Sequence, residues 1–558
     1  MELWGHLLPD VLPQHIRIRN WASERSPLLP LASQWSFTRP YGSDASLVIV
    51  IVGLRRSSRY KWAPQVPFNP RRLSFFAVTS VRAMANSNLT GPSGGDSLTQ
   101  SAEMNAQFDR GDIAWIYSAA VFVWIMIPGI GMLYAGLARR HHSLALVWQS
   151  LISVCVVTFQ WFFWGYSLTF SHSAGPFIGD LANFGSKGVL AQPSVGSTLI
   201  PDILFYLFQL VFSCATAMIM IGGAMERGRL IPSAIFIFIW TTIVYDPIAC
   251  WTWNSSGWLF KLGSLDFAGG GPVHMSSGAG ALAYALVLGK RTMPLEDGKR
   301  VPRHKPSNVF LVVLGTVLLW FGWFGFNGGS ALNASLRAIY AGVNTNLAAA
   351  CGAMTFCALD VLRHKKRWSM VGLCCGAVAG LVGITPASGY VPIYFAVPVG
   401  VITGCTTHLA LDLKDILRID DGLDVFALHG IGGLTGNILT GLFAADYITA
   451  LDGYSSIPGG WLNGNYVQLA YQLAGCAAIL SYSFVVTAVL LLVMDRIPGL
   501  RLRVSAEEEE GGLDALEIGE AIMEYGMAEV LEAGTRRLNE EKEGQDEKNG
   551  KSSTEKET

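Results

Sequence analysis

Charged residues are scarce in this sequence. Asp, Glu, Lys and Arg make up 15% of its 558 residues, against roughly 25% in soluble proteins, while 51% are hydrophobic. The formal net charge is −1, so no excess of positive charge indicates a nucleic-acid partner. So little charge in so apolar a chain is typical of an integral membrane protein.

The sequence also lacks the patterns of disulfide frameworks and metal sites. Its nine cysteines are scattered through apolar segments, which predicts buried free thiols. There is no HExxH motif and no close cluster of Cys, His and Asp. We therefore expect no bound metal and no cofactor. Because no nucleophile–base set is visible, we do not expect an enzyme.

Long apolar runs are abundant instead. A helix needs about 20 mainly apolar residues to cross a bilayer. Eleven stretches meet this need: 113–137, 144–170, 199–224, 230–253, 267–289, 308–332, 338–362, 369–388, 391–413, 425–444 and 467–497. We predict an all-α integral membrane protein with eleven transmembrane helices. The odd number puts the two termini on opposite sides.

Positive charge alternates from loop to loop. The loops after the first, third, fifth, seventh and ninth predicted spans hold several Lys and Arg residues, such as Arg139 and Arg140 in the first. The intervening loops hold only the isolated Lys187, Lys261 and Arg337. Short cytoplasmic loops are enriched in Lys and Arg. The pattern therefore predicts an extracellular N-terminus and a cytoplasmic C-terminus.

The composition divides the chain into four regions. Residues 1–83 are basic, with eleven Arg and Lys against four acidic residues. We interpret this leader as a start-site artefact, with Met84 as the true start; an Arg- and Ser-rich targeting peptide is the alternative. Residues 84–111 form a predicted extracellular tail, in which Asn88 opens a glycosylation sequon. Residues 112–499 form the transmembrane domain.

The fourth region, residues 500–558, is a predicted cytoplasmic tail. It begins acidic, and residues 513–533 have helix-compatible spacing that could dock on the cytoplasmic face. Residues 539–558 have the composition of a disordered segment, in which Ser552 and Ser553 are candidate phosphorylation sites. A regulatory tail that meets a cytoplasmic regulator or kinase and a solvated tail with no switch both remain open.

Three histidines fall inside predicted spans. His408 lies near the end of its span and can reach the interface, so we expect a structural role. His274 and His429 follow aspartates that open their spans, Asp266 and Asp424. If spans 1–5 and 6–10 form an inverted repeat, these two histidines occupy matching elements at the midplane, where ionisable groups mark a pathway. The alternative is a satisfied interhelical hydrogen bond.

Asp266 precedes a glycine-rich helix start. Its carboxylate could accept hydrogen bonds from exposed backbone N–H groups, or it could contact a cation directly. We favour the cap, with an indirect electrostatic effect.

Four segments carry a family resemblance. They are DFAGGGPVHMSSGAGALAYALVLGKR (266–291), GWFGFNGGSALNA (322–334), GAVAGLVGITPASGYV (376–391) and DDGLDVFALHGIGGLTGNILTG (420–441). These segments resemble signature blocks of the ammonium transporters of the Amt/MEP/Rh class, and within it the fungal MEP permeases. The resemblance implies an eleven-helix homotrimer with a pseudo-two-fold inverted repeat. It also implies one narrow apolar pore per subunit, in the lipid bilayer of the plasma membrane.

The resemblance further implies the substrate and the site residues. The substrate would be ammonium or ammonia, with methylammonium as an analogue. The outer recruitment site would consist of Phe212, Trp253 and Ser330, and the pore gate of Phe212 and Phe326. Aromatic faces attract a partly desolvated cation, and a hydroxyl accepts one of its hydrogen bonds.

Below the gate, the resemblance places a proton relay formed by His274 and His429. Histidine suits this role because its ordinary pKa lies near neutrality. Two other functions remain as alternatives: an ammonium receptor that signals through the tail, and a neutral gas channel of the Rhesus type.

Overall fold

Long apolar helices dominate the part of the chain that the computed structural model describes. This part comprises residues 107–292, 306–363 and 367–520, together with a short hairpin of strands β1 (Leu295–Glu296) and β2 (Lys299–Arg300). The basic leader lies outside the described residues, as do Asn88, Ser552 and Ser553.

The helices follow one another along the chain with little other structure. They are α1 (Arg110–Leu137), α2 (Ser143–Gln160), α3 (Tyr166–Phe170), α4 (Asp202–Ile221), α5 (Leu230–Trp240), α6 (Asp246–Trp253), α7 (Trp258–Leu262), α8 (Ser276–Leu288), α9 (Val309–Gly329), α10 (Leu336–Arg363), α11 (Met370–Ile384), α12 (Ile393–Ala410), α13 (Leu413–Leu417), α14 (Gly432–Phe443), α15 (Asp446–Thr449), α16 (Val467–Met494) and α17 (Ala506–Gly511). Apart from the hairpin, the described fold is helical, as predicted.

Four π-helical turns interrupt or precede the apolar helices. Trp161–Gly165 joins α2 to α3, and Thr241–Tyr245 joins α5 to α6. Gly270–Met275 leads into α8, and Phe426–Ile431 leads into α14. Single π turns inside helices often mark functional sites.

Eight helical segments of the described residues are long and apolar enough to cross a membrane. They are Arg110–Leu137, Arg140–Phe170, Asp202–Ala224, Leu230–Leu262, Val309–Gly329, Leu336–Arg363, Ile393–Ile416 and Val467–Met494. Each coincides with a predicted span. The other three predicted spans, 267–289, 369–388 and 425–444, coincide with the shorter helices α8, α11 and α14. Eleven crossings thus stay a prediction.

Side-chain caps explain where several helices begin. Asp109 accepts hydrogen bonds from the backbone N–H groups of Gly111 at 2.7 Å and Asp112 at 3.2 Å, so α1 begins at the next residue. Asn308 caps α9 and Ser369 caps α11 in the same way. Such caps satisfy N–H groups that have no partner within the helix.

Glycines let the helices approach one another closely. A Cβ atom at Gly315 in α9 would lie 2.4 Å from the Leu133 nitrogen and 2.5 Å from the Gly129 carbonyl oxygen in α1. The backbones of α1 and α9 are therefore in direct contact. Small residues at helix contacts are typical of membrane bundles.

The first part of the C-terminal tail packs on the first turn of α2 and on the start of α5. Ser505 caps α17, and the Asp514 carboxylate accepts the N–H groups of Leu144 at 3.1 Å and Ala145 at 2.8 Å. Glu517 pairs with Arg229 at 3.2 Å. Helix α17 lies before the predicted docking segment 513–533, whose described part contains a helical turn, Asp514–Ile518. Residues 521–558 lie outside the described residues.

Candidate functional site

Two buried histidines meet at the centre of the site. The Nδ1 atoms of His274 and His429 lie 3.2 Å apart, and the ring centroids lie 5.2 Å apart. The exposed fractions of the two residues are 0% and 8%. Each histidine lies in a π turn at the start of a helix, α8 or α14. Residues that are far apart in the sequence thus form one pair.

The distance between the two Nδ1 atoms restricts the protonation of the pair. A hydrogen bond between two ring nitrogens needs one N–H donor and one lone-pair acceptor. One of the two Nδ1 atoms therefore carries a proton and the other does not. The Nε2 atom of His274 is buried without a hydrogen-bond partner among the described residues. That nitrogen remains available to a polar molecule in the cavity.

The histidine pair borders an apolar cavity. The cavity is lined by Met126, Ile130, Leu133, Tyr134, Leu137, Ala215, Ile219, His274, Leu319, Trp323, Phe326, Cys374, Cys375, Val378, Leu423, Val425, Leu428 and His429. Most of these side chains carry no nitrogen or oxygen. The hydroxyl of Tyr134 donates to the Ile219 carbonyl at 3.2 Å. The imidazoles are therefore the main polar groups that face the cavity.

A stacked aromatic pair lies beside the histidines. The rings of Phe212 and Phe326 are 4.0 Å apart with planes 17° from parallel. The His274 ring lies 6.1 Å from that of Phe326. The two phenyl rings are therefore in van der Waals contact, with no gap between them.

Trp323 is a residue of the site that the sequence analysis did not single out. Its ring stacks on His274 with centroids 5.4 Å apart and planes 23° from parallel, and its indole N–H donates to Thr385 at 2.9 Å. A signal was available, because Trp323 precedes Phe326 by one turn of α9 and must share its face.

Trp253 and Ser330, the other two predicted recruitment residues, lie next to the phenyl pair. The Trp253 ring meets Phe212 edge-on, with centroids 6.0 Å apart and planes at 83°. Its indole N–H donates to the Asp266 carbonyl at 3.1 Å. The Ser330 hydroxyl donates to the Phe326 carbonyl at 2.8 Å, so its oxygen lone pairs remain free to accept a hydrogen bond.

The Asp266 carboxylate is engaged by the backbone. It accepts the N–H groups of Gly269 and Gly270 at 2.8 Å and that of Gly271 at 2.6 Å. Gly269 has a φ of 112°, which favours glycine there. This geometry supports the cap and leaves little capacity for a direct cation contact.

Gln472 fixes the same segment from the far end of the chain. Its side chain accepts the Leu265 N–H at 2.7 Å and donates to the Leu265 carbonyl at 2.6 Å. No local pattern links residue 472 to residue 265, so sequence reasoning could not find this contact.

His408 is not among the residues that line the apolar cavity. It is 2% exposed, and its ring forms hydrogen bonds with Asp360 at 3.0 Å and Arg363 at 3.3 Å. Among the described residues, no group of three or more Cys, His, Asp and Glu is placed to hold a metal ion.

Comparisons with known proteins agree on one family. The family model described as Ammonium Transporter Family matches residues 114–523. The chain is 55% identical to Ammonium transporter MEP2 of Saccharomyces cerevisiae over 443 residues, which cover 79% of this chain and 88% of that protein. It is 54% identical to Ammonium transporter 1 of Schizosaccharomyces pombe over 437 residues, 78% of this chain and 86% of the relative.

Solved structures are similar as well. The crystal structure of Candida albicans Mep2 matches with a TM-score of 0.69 and 56% identity, covering 73% of this chain and 88% of that one. The crystal structure of Saccharomyces cerevisiae Mep2 matches with a TM-score of 0.69 and 55% identity, covering 73% and 90%.

Proposed function

This chain belongs to the Ammonium Transporter Family, and from that premise we propose how its site carries ammonium across the plasma membrane. The chain is a membrane transporter and not an enzyme. The proposed mechanism has three steps: recruitment of the cation, removal of one proton, and conduction of ammonia through an apolar pore. The observation that carries it is the stacked phenyl pair beside a buried imidazole pair.

Recruitment takes place at Phe212, Trp253 and Ser330. The aromatic rings attract a partly desolvated cation, at about 0.5–2 kcal/mol for one cation–π contact. The Ser330 oxygen accepts one N–H of ammonium. The bond from the Trp253 indole to the Asp266 carbonyl fixes the ring for this contact.

The phenyl pair and the apolar cavity then select for a molecule that can lose its charge. Moving a bare cation into an apolar, water-poor path is costly. Potassium has no proton to give up, so it is excluded. Ammonium can leave a proton behind and continue as neutral ammonia.

The histidine pair receives that proton. Ammonium donates it to the free Nε2 of His274, which produces ammonia and an imidazolium ion. The proton already shared between the two Nδ1 atoms can then shift to His429, so charge moves along the pair while ammonia passes beside it. Trp323 keeps the His274 ring in orientation by stacking on it.

We extend the proposal to the membrane topology, the internal repeat and the assembly of the chain. The chain crosses the membrane eleven times within residues 112–499, with its N-terminus outside and its C-terminus in the cytoplasm, and three copies form a homotrimer. Spans 1–5 and 6–10 form an inverted repeat. In support, His274 and His429 each lie in a π turn that leads into a short helix, one in each proposed repeat.

The tail regulates the transporter from the cytoplasmic face. In support, Asp514 bonds the first turn of α2, while Glu509 pairs with Arg139 at 3.3 Å. These contacts join the tail to the loop between α1 and α2 and to the start of α2, so movement of the tail would move that loop.

Expression in cells that lack their own ammonium transporters tests the function. We expect saturable methylammonium uptake and an ammonium-induced current. Electroneutral flux would support a Rhesus-type gas channel instead. A chain that signals normally without saturable uptake would be a receptor.

A further inference from the structure

Arg337 is a buried cation in a region where positive charge is rare. The sequence shows it as one of three isolated cations in the alternate loops, with Lys187 and Lys261. The two lysines are exposed, whereas Arg337, at the start of α10, is only 5% exposed. Burial of an unpaired cation is costly, so its neighbours must compensate its charge.

Asp452 supplies the compensating charge. Its Oδ2 atom accepts a hydrogen bond from Nη1 of Arg337 at 2.8 Å, and its Oδ1 atom accepts the N–H groups of Tyr454 at 2.8 Å and Ser455 at 2.7 Å. Burial alone would raise the pKa of Asp452, but the N–H groups of Ser455 and Tyr454 and the guanidinium hold it below its ordinary value. The two side chains therefore form an ionised pair.

The Arg337 guanidinium also contacts two aromatic rings and donates a hydrogen bond to a backbone carbonyl. Nε of Arg337 donates to the Gly389 carbonyl at 2.9 Å. The guanidinium carbon lies 4.8 Å from the centroid of the Phe267 ring and 5.0 Å from that of Tyr390. A Cβ at Gly389 would lie 2.3 Å from the Phe267 ring, so the ring packs directly on the Gly389 backbone and cannot shift toward it. A planar guanidinium makes these contacts together, whereas an ammonium group cannot.

Phe267 is adjacent in the sequence to a residue that positions the recruitment site. Phe267 follows Asp266, whose carbonyl accepts the indole N–H of Trp253 and whose carboxylate caps the turn that carries His274. The N–H of Phe267 donates to the Pro386 carbonyl at 3.1 Å. The Asp266 carbonyl orients Trp253, and the packing of the neighbouring Phe267 ring restricts the position of that carbonyl.

We propose that Arg337 and Asp452 form a positioning pair for ammonium recruitment. Arg337 fixes Phe267 and through it the backbone of Asp266 that orients Trp253, while Asp452 cancels the positive charge beside a segment that receives a cation. Neither residue touches the substrate. The inference rests on the proposed function and adds two residues that determine affinity.

The test is methylammonium uptake over a full concentration series, in cells lacking their own transporters, with the surface amount of each variant measured. Arg337→Gln is expected to raise the half-saturation concentration about two- to thirtyfold, the range that corresponds to one lost cation–π contact of about 0.5–2 kcal/mol, with an unchanged maximal rate per surface transporter. Arg337→Lys keeps the charge without the planar fork, so it should also raise this concentration. Lys261→Gln, a change of an exposed loop cation, serves as the matched control and should leave it unchanged.

Two further variants separate positioning from folding. Asp452→Asn leaves a buried cation unpaired, so it should raise the half-saturation concentration more than the double variant Arg337→Gln/Asp452→Asn. Phe267→Leu keeps the ion pair but removes the ring, and should reproduce the effect of Arg337→Gln.

Three results would overturn the inference. The first is wild-type half-saturation in Arg337→Gln and Phe267→Leu. The second is a loss confined to surface amount or maximal rate, which would make the pair a support of the fold only. The third is the absence of saturable uptake by the unaltered chain, which would overturn the proposed function and this inference with it.

Discussion

Replacement of Asp266 distinguishes a helix cap from a cation-binding carboxylate. The carboxylate accepts three buried backbone N–H groups. Asp266→Ala leaves all three without a partner, at about 1–3 kcal/mol each, or about 3–9 kcal/mol before the backbone relaxes. Asp266→Asn retains an oxygen for Gly269 and Gly270 but directs an amide NH₂ at the Gly271 N–H. It should therefore cost about 1–3 kcal/mol.

The assay is the thermal unfolding midpoint of the purified transporter, measured together with methylammonium uptake. We expect Asp266→Ala to lower the midpoint far more than Asp266→Asn. Asp109→Ala is the matched control, because Asp109 caps α1 at an exposed helix end where water can replace it. Its cost should be about 0.5–2 kcal/mol. An Asp266→Ala protein that unfolds at the wild-type temperature but binds ammonium more weakly would refute the cap and indicate direct contact with the cation.

Two other predictions concern the outer site and the tail. Trp253→Leu should raise the half-saturation concentration for uptake without loss of assembly, because one cation–π contact contributes only about 0.5–2 kcal/mol; unchanged kinetics over a full concentration series would place Trp253 outside the site. Deletion of residues 511–558 should reduce flux at equal surface expression, because it removes the contacts of Asp514, whereas deletion of 521–558 keeps them and should reduce flux less. Equal flux in both deletions and in the full chain would make the tail a bystander.

Local properties of the sequence predicted the helices well. Eight predicted spans coincide with long apolar helices because length and hydropathy depend only on neighbouring residues. The π turns at Gly270–Met275 and Phe426–Ile431 were not predicted, since a count of apolar residues carries no information on helix period. Helix α17, which begins at Ala506, was also not predicted, because its acidic residues have no apolar period.

The residues of the functional site were predicted from the family resemblance and not from local properties of the sequence. Of the residues carried over from the family motifs, His274, Phe326 and His429 line one cavity, and Phe212 stacks on Phe326. By contrast, the contact of Gln472 with Leu265 joins distant parts of the chain and leaves no local pattern. The buried Asp246, bonded to Gln160 at 2.7 Å, was overlooked although a carboxylate within an apolar span is an evident signal.

The histidine relay is the central claim, and ionic current tests it most directly. His274→Ala and His429→Ala would each be expressed at the cell surface and recorded under ammonium and then under potassium. His408→Gln is the control, because His408 is buried in another helix and bonds to Asp360. The account predicts that each alanine variant loses the ammonium current or admits potassium, while the control keeps the current and its selectivity. Wild-type ammonium current without potassium leak in both alanine variants would contradict the relay and leave the pair a packing contact.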